Sequence, residues 1–236
     1  MPAWRPRSTA WKNTLKLKVA RCHLFQREVL FLGHVVSGRG IECDPAKIAA
    51  VANWPHPTSV SKVRTFCGLA SYNWTFVPGF ACLAWPLHVL TRKNASFIWT
   101  KECEQSFKAL KQRLTTPPIL AAPKDEGRFV WDTDASDQAL GTVLQQEQDG
   151  ELKVISYASR ALSDTERRYC ITRKELLGVV YGLKKYTQHL LGRPIIVRTD
   201  HAALTFLMRI PEPLGQQSRW LDFIGEFNIV IEHRLG

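Results

Sequence analysis

The stretch Arg128-Phe129-Val130-Trp131-Asp132-Thr133-Asp134-Ala135-Ser136 decides how the rest of the chain is read. A strand has a side-chain period of two, so Asp132 and Asp134 fall on one face while Phe129 and Trp131 take the other. One carboxylate at a strand end is ordinary, but two on one face need a reason. Beyond this strand, Ala139–Gln146 and Leu152–Ala158 are also strand-like, and short polar turns that include Asp149-Gly150 separate the three. That order predicts an antiparallel meander. A long helix is expected from about Arg173 to Leu191, stopped by Gly192 and Pro194. Ile195–Asp200 reads as a strand covered on both faces, because three apolar residues stand side by side. A short helix near Ala202–Met208, another near Gln216–Glu226 and a strand Phe227–Glu232 complete a mixed α/β order with a crossover connection.

Working toward the N-terminus, Ala121–Gly127 is loop-like and places a domain boundary near residue 120. Residues 1–14 read as a loose leader, 15–120 as one unit and 121–236 as a second. In the first unit, Leu24–Val36 is apolar and β-branched, and Ser37-Gly38-Arg39-Gly40 then turns the chain before Ile41, which predicts a hairpin. Asp44-Pro45 supplies an N-cap and an N1 proline for a helix that ends near Trp54. Further helices are expected over Ser59–Tyr72 and Ala81–Leu90, and a short strand at Phe97–Trp99. Thr100 then caps a helix that carries Phe107, Leu110 and Leu114 on one face and ends at Thr116-Pro117-Pro118.

With 236 residues, 45% hydrophobic and 22% charged, the chain is long enough for a real core. No apolar run approaches the roughly 18 residues that span a bilayer, and no secretory signal is visible, so an intracellular address (cytoplasm or nucleus) and no membrane partner are expected. The net charge of +11 is uneven: residues 1–120 carry +12 and residues 121–236 carry −1. A basic half beside a near-neutral one suits a polyanionic partner, with something more specific in the second half. The six cysteines include no C-x-x-C pair and read as reduced core thiols.

Between Phe129 and Leu152 there are six acids and no base. Solvent or a divalent cation must relieve that repulsion. Glu147, Asp149 and Glu151 flank a turn and read as solvated. Glu175 has two readings: in Thr172-Arg173-Lys174-Glu175 it closes a capping box onto the Thr172 backbone, or it faces the sheet and reaches a metal. Asp200 ends a buried strand at its carboxyl end, where open α/β sheets place ligands, or it caps the helix that follows. Three acids on separate elements can converge beside the sheet, and hard oxygen donors favour Mg²⁺ over zinc.

Thr133-Asp134-Ala135-Ser136, Lys174-Glu175-Leu176-Leu177 and Arg198-Thr199-Asp200-His201, with Ile155–Ser163 between the first two, resemble the RNase H domain of gypsy-type LTR retrotransposon Pol polyproteins. The resemblance implies an α/β, RNase H-like mixed sheet with flanking helices, preceded by a small α+β reverse-transcriptase thumb/connection region. It implies that Asp134, Glu175 and Asp200 are catalytic carboxylates that bind Mg²⁺ (or Mn²⁺), with Asp132 the family's accompanying acid. It further implies cleavage of RNA in RNA–DNA hybrids, so the expected partner is such a hybrid or another nucleic acid. Arg21–Phe25 and Phe31-Leu32-Gly33-His34 look like the strand pair that includes the family's primer grip, which makes Phe31, Leu32, Gly33 and His34 nucleic-acid-binding candidates. Asp44–Lys47, Trp54-Pro55, Gly68–Tyr72 and Ala84–Leu87 continue the likeness in family order.

There are departures. No Asp-Asp dipeptide occurs, so the polymerase motif is expected to be absent. Asn73-Trp74-Thr75 stands where the family has a tyrosine followed by basic residues. The family's fourth carboxylate follows the last strand, whereas this sequence stops at Arg234-Leu235-Gly236, so the RNase H-like unit is expected to be truncated at its C-terminus.

Overall fold

A computed structural model describes residues 25–204 and 215–234. The leader expected over 1–14, the segment Arg21–Leu24 and most of the short helix expected at Ala202–Met208 lie outside them.

The first hairpin holds one strand more than the sequence pattern suggests. Strands β1 (Glu28–Phe31), β2 (His34–Ser37) and β3 (Gly40–Cys43) form an antiparallel sheet in chain order. The run expected as one strand from Leu24 to Val36 folds back at Leu32-Gly33, where Phe31 pairs with His34 and both turn residues have positive φ, 46° and 68°. Glycine takes that conformation freely; Leu32 does not, and an apolar residue there hides the turn from a hydrophobicity pattern.

Helices α1 (Pro45–Ala52), α2 (Val60–Ala70), α3 (Phe80–Leu90) and α4 (Lys101–Thr115) follow, with a 3₁₀ segment at Ser71–Phe76. Asp44, Ser59 and Thr100 each accept a backbone N–H at their helix start. The helices share a core of Val63, Phe66, Ala84, Leu87, Phe107 and Leu110. The strand expected at Phe97–Trp99 is irregular chain with no partner strand. Its rings pack on that core, and the Trp99 indole N–H donates to Glu104 at 2.9 Å.

The second sheet has five strands: β4 (Phe129–Ala135), β5 (Ala139–Gln148), β6 (Glu151–Ala161), β7 (Ile195–Thr199) and β8 (Ile229–His233), in the order β6-β5-β4-β7-β8. β4–β5–β6 is the antiparallel meander, and β7 and β8 add in parallel. Helix α5 (Ile171–Leu190) makes the crossover, and α6 (Gln216–Gly225) packs beside it.

Two glycines set how close α5 lies to the sheet. A Cβ on Gly182 would come within 2.6 Å of the Trp131 ring, and one on Gly178 within 2.7 Å of the Thr133 hydroxyl. Leu176, Val179 and Leu183 then close over Phe129, Trp131, Leu144 and Val197, which are 0–1% exposed. At about 25 cal/mol per Å² of apolar area, a fully buried indole of this kind contributes several kcal/mol.

The two units are joined by more than the loop between them. Ile41 and Leu120 exchange backbone hydrogen bonds at 2.7 and 3.0 Å, and the Ala121 N–H donates to Val154 at 2.8 Å, so the linker pairs with both sheets. Gln146, wholly buried, accepts the Lys124 N–H and donates to the Lys124 and Glu126 carbonyls, each at 2.8 Å. Ser159 of β6 accepts the Ala81 N–H at 2.9 Å, which supplies α3 with the side-chain cap that Gly79 lacks. The five described cysteines are free thiols. Cys43, Cys67 and Cys103 are buried as expected, whereas Cys82, in the first turn of α3, and Cys170, the N-cap residue of α5, are exposed. Among the described residues no helix is long and apolar enough to cross a membrane.

Candidate metal centre

Asp132 of β4 stands level with Arg198 of the parallel β7. Two residues further along each chain come Asp134 and Asp200, so strand pairing alone brings these carboxylates to the same end of neighbouring strands. Glu175 reaches them from the second turn of α5. Ligand oxygens of Asp134, Glu175 and Asp200 all lie within 4.8 Å of one another. Asp134 and Asp200 are exposed and Glu175 is 2% exposed.

The capping reading of Glu175 fails. α5 begins at Ile171 with Cys170 as its N-cap, so Thr172 already lies inside the first turn. Its hydroxyl instead hydrogen-bonds the His201 ring at 2.8 Å. Glu175 Oε1 accepts the Ala135 backbone N–H at 3.2 Å, and its Oε2 is buried without a hydrogen-bond partner. Burial pushes the Glu175 carboxyl up to about 7, the charges of Asp134 and Asp200 push the same way, and the Ala135 N–H opposes them.

These residues fit a hard divalent cation. Three carboxylates with no nitrogen or sulfur donor among them, one holding an orphaned buried oxygen, leave a concentration of negative charge that Mg²⁺ or Mn²⁺ would relieve.

Asp132 stands apart from this group, contrary to its expected place as an accompanying acid. Arg198 grips both its oxygens, Nε at 2.6 Å and Nη2 at 2.9 Å, and Gln145 donates to Oδ2 at 2.7 Å. A carboxylate saturated by a bidentate guanidinium is a poor metal ligand. The strand period correctly puts Asp132 and Asp134 on one face, but register with β7 gives one a cation and the other an acid as neighbour.

Several supporting side chains carry no signal in a single sequence. The His201 N–H donates to Thr199 Oγ1 at 3.1 Å, a His233 ring nitrogen lies 3.0 Å from the Asp200 carbonyl, and the Arg234 N–H donates to the Thr199 carbonyl at 2.8 Å. Lys174, only 4% exposed, holds Asp137 of the β4–β5 turn at 2.6 Å, and that hydrogen bond, with the ammonium charge behind it, keeps the Asp137 carboxyl below its usual range. Of these, His201 is legible only as part of the motif around Asp200; the others depend on strand register.

Phe31, Leu32, Gly33 and His34 are on the other sheet, at the β1–β2 turn. Phe31 and Leu32 are well exposed. The Tyr72 hydroxyl donates to the Leu32 carbonyl, the His34 ring stacks on Tyr72 and Phe76, and the Lys47 ammonium lies 3.0 Å above the Tyr72 ring.

Residues 99–197 match the family described as an RNase H-like domain found in reverse transcriptase. The retrovirus-related Pol polyproteins of the Drosophila melanogaster transposons 297 and 412 are 36% and 33% identical to this chain over 94% of its length, and the Schizosaccharomyces pombe transposon Tf2-3 polyprotein is 30% identical over 94%. The chain is homologous to a segment of retrotransposon Pol polyproteins. It spans 21%, 18% and 17% of those relatives' lengths. A foamy viral protease-reverse transcriptase solved in complex with double-stranded DNA superposes with a TM-score of 0.74 at 23% identity, covering 89% of this chain and 38% of that one. The same kind of enzyme in complex with an RNA/DNA hybrid gives 0.72 at 23% identity, covering 89% and 29%. The fold of this Pol homologue is therefore that of the corresponding part of a reverse transcriptase, and its mixed sheet is the RNase H-like element.

Proposed function

We propose that the chain is the connection and RNase H part of a gypsy-type element's reverse transcriptase, and that it hydrolyses the RNA strand of RNA–DNA hybrids with Mg²⁺ held by Asp134, Glu175 and Asp200. The observation that carries this reading is the meeting of three carboxylates within 4.8 Å, with one Glu175 oxygen buried and unpaired. The names of the relatives, and the nucleic acids bound in the structures of similar fold, support it.

When bound, divalent ions at such a site supply activation of a water and stabilisation of the leaving oxygen. The protein's part is positional. The Ala135 N–H holds Glu175 Oε1 and so anchors the Glu175 carboxylate beside Asp134 and Asp200. The bond between Thr172 and His201 ties the first turn of α5 to the residue after Asp200 and keeps the helix carboxylate and the strand carboxylate in one frame. Recognition of 2′-hydroxyls would select the RNA strand. Incubating the chain with a labelled hybrid and Mg²⁺ tests the reading: the RNA strand is cut by the wild type and not by Asp134→Asn. Cleavage no greater than that of the variant overturns it.

The +12 charge of residues 1–120 favours a second reading, a non-catalytic nucleic-acid-binding module. Binding would then fall steeply with salt and be indifferent to Mg²⁺.

A further inference from the structure

Beside the carboxylates, and resting on the hydrolytic reading above, lies a second half of the site with the opposite charge. Asp132, Asp134, Arg198, Asp200 and Arg234 line one open cavity of about 200 Å³ on the sheet face away from α5. We propose that Arg198 and Arg234 form a subsite for a backbone phosphate of the bound nucleic acid, next to the phosphate that meets the metal.

Charge and geometry within this cavity lead to that assignment. Arg198 is 22% exposed and uses Nε and Nη2 on Asp132; among the described residues its Nη1 makes no hydrogen bond. Asp132, steadied from its other side by Gln145, fixes the plane of the guanidinium. Arg234 is 64% exposed, and its guanidinium is 3.7 Å from Asp132 Oδ2, an ion-pair distance too long for a hydrogen bond. Its backbone is nevertheless held, because its N–H bonds the Thr199 carbonyl and the preceding His233 ring contacts the Asp200 carbonyl. The side chain is thus free to move while its origin is tied to the strand end that carries Asp200.

Two arginines against Asp132 leave one positive charge unmatched on that side of the cavity, beside the negative charges of Asp134 and Asp200. Three carboxylates repel a polyanion. Ions held by them would offset that at the reacting phosphate, leaving the next phosphate along the strand to a cation from the protein. A guanidinium fork suits phosphate oxygens better than an ammonium does. A merely structural Arg198–Asp132 pair would have no use for Arg234, which is mostly solvated and worth little to stability.

The test uses the full chain and a fluorescein-labelled RNA–DNA hybrid. Affinity is read by anisotropy in EDTA, turnover in Mg²⁺, and folding by the thermal transition. Arg234→Ala is expected to raise Kd and KM about 5- to 10-fold, to make the slope of log Kd against log salt shallower by about one, and to leave the Mg²⁺ midpoint unmoved. Arg234→Lys recovers part of the affinity. Arg198→Gln weakens binding in the same way, provided its thermal transition stays cooperative. If the wild type cleaves the hybrid but Arg234→Ala shows unchanged Kd and salt slope, the subsite is overturned and the hydrolytic reading stands. A variant that shifts only the Mg²⁺ midpoint also overturns it, since Arg234 would then only screen the carboxylates. A wild type that neither binds nor cleaves overturns both.

Discussion

The two faces of the five-stranded sheet solve opposite problems. On the α5 side, Trp131, Leu144, Leu176 and Leu183 are 0% exposed and the helix is pressed onto β4 at two glycines. On the other side, Asp132, Arg198 and Arg234 meet in a cavity open to water. The closed face sets positions and the open face presents charges. Glu175 belongs to both, since it leaves the helix on the packed side and ends among the carboxylates. Precision among the three clustered carboxylates is therefore expected to depend on apolar packing well away from any charge.

Removing the indole at the middle of the closed face is the strongest way to break this contrast. Trp131→Ala is expected to cost about 4 kcal/mol by transfer and cavity terms, read from urea unfolding, whereas Val143→Ala on the open side of β5 should cost about 1 kcal/mol or less. Comparable losses at the two positions would contradict the division.

Protonation probes the residue shared by the two faces. The folded Glu175 carboxyl titrates at about 7, above the ordinary 4.5, so between those values the folded state holds a proton that the unfolded state has lost. Stability without metal therefore falls as pH rises from about 4.5 to 7, by on the order of 3 kcal/mol, and is fully present only below that window. Mg²⁺, which favours the ionised form, should reverse the trend. Thermal unfolding across this window in EDTA and in Mg²⁺ measures it. Glu175→Gln should flatten the pH dependence, keep the fold and abolish the Mg²⁺-induced rise in Tm. If the variant still shows the full pH slope, the proton belongs to another group.

Gly182→Ala sharpens the comparison by adding one methyl group to the packed side. Its Cβ would meet the rigid Trp131 ring, so the helix must move out, at an expected cost of about 2 kcal/mol in denaturant unfolding. Weaker Mg²⁺ binding should accompany it, because Glu175 rides on the same helix; an unchanged midpoint would show that the centre tolerates such a shift.

The smallest effect is expected where the open side meets the helical unit. Ser159→Ala removes the side-chain cap from α3 and should cost about 1 kcal/mol. A larger loss would mean that the two units depend on each other more than their hydrogen bonds suggest.

Much of this was legible in the residue pattern. The meander, the crossover helix and the following strand end within a few residues of their expected limits, because strand and helix periods, Gly192 and Pro194 are local signals. The β1–β2 turn was not, because Leu32 occupies a left-handed position where a turn former would have announced itself. Phe97–Trp99 reads as a strand because a short apolar run cannot tell a ladder from rings packed on a helix.

Among the acids, local sequence could nominate Asp134, Glu175 and Asp200 but could not choose between capping and coordination for Glu175, or separate Asp132 from Asp134. Those choices rest on contacts between residues far apart in the chain. Periodicity, caps and charge are written along the polypeptide, so the elements and the candidate carboxylates follow from it directly. Which acid receives Arg198, which receives another acid, and which is left with a bare buried oxygen depend on how β4 pairs with β7 and how closely α5 settles on Trp131. Register and packing distance are set only when the whole core closes, and they govern the chemistry of the site.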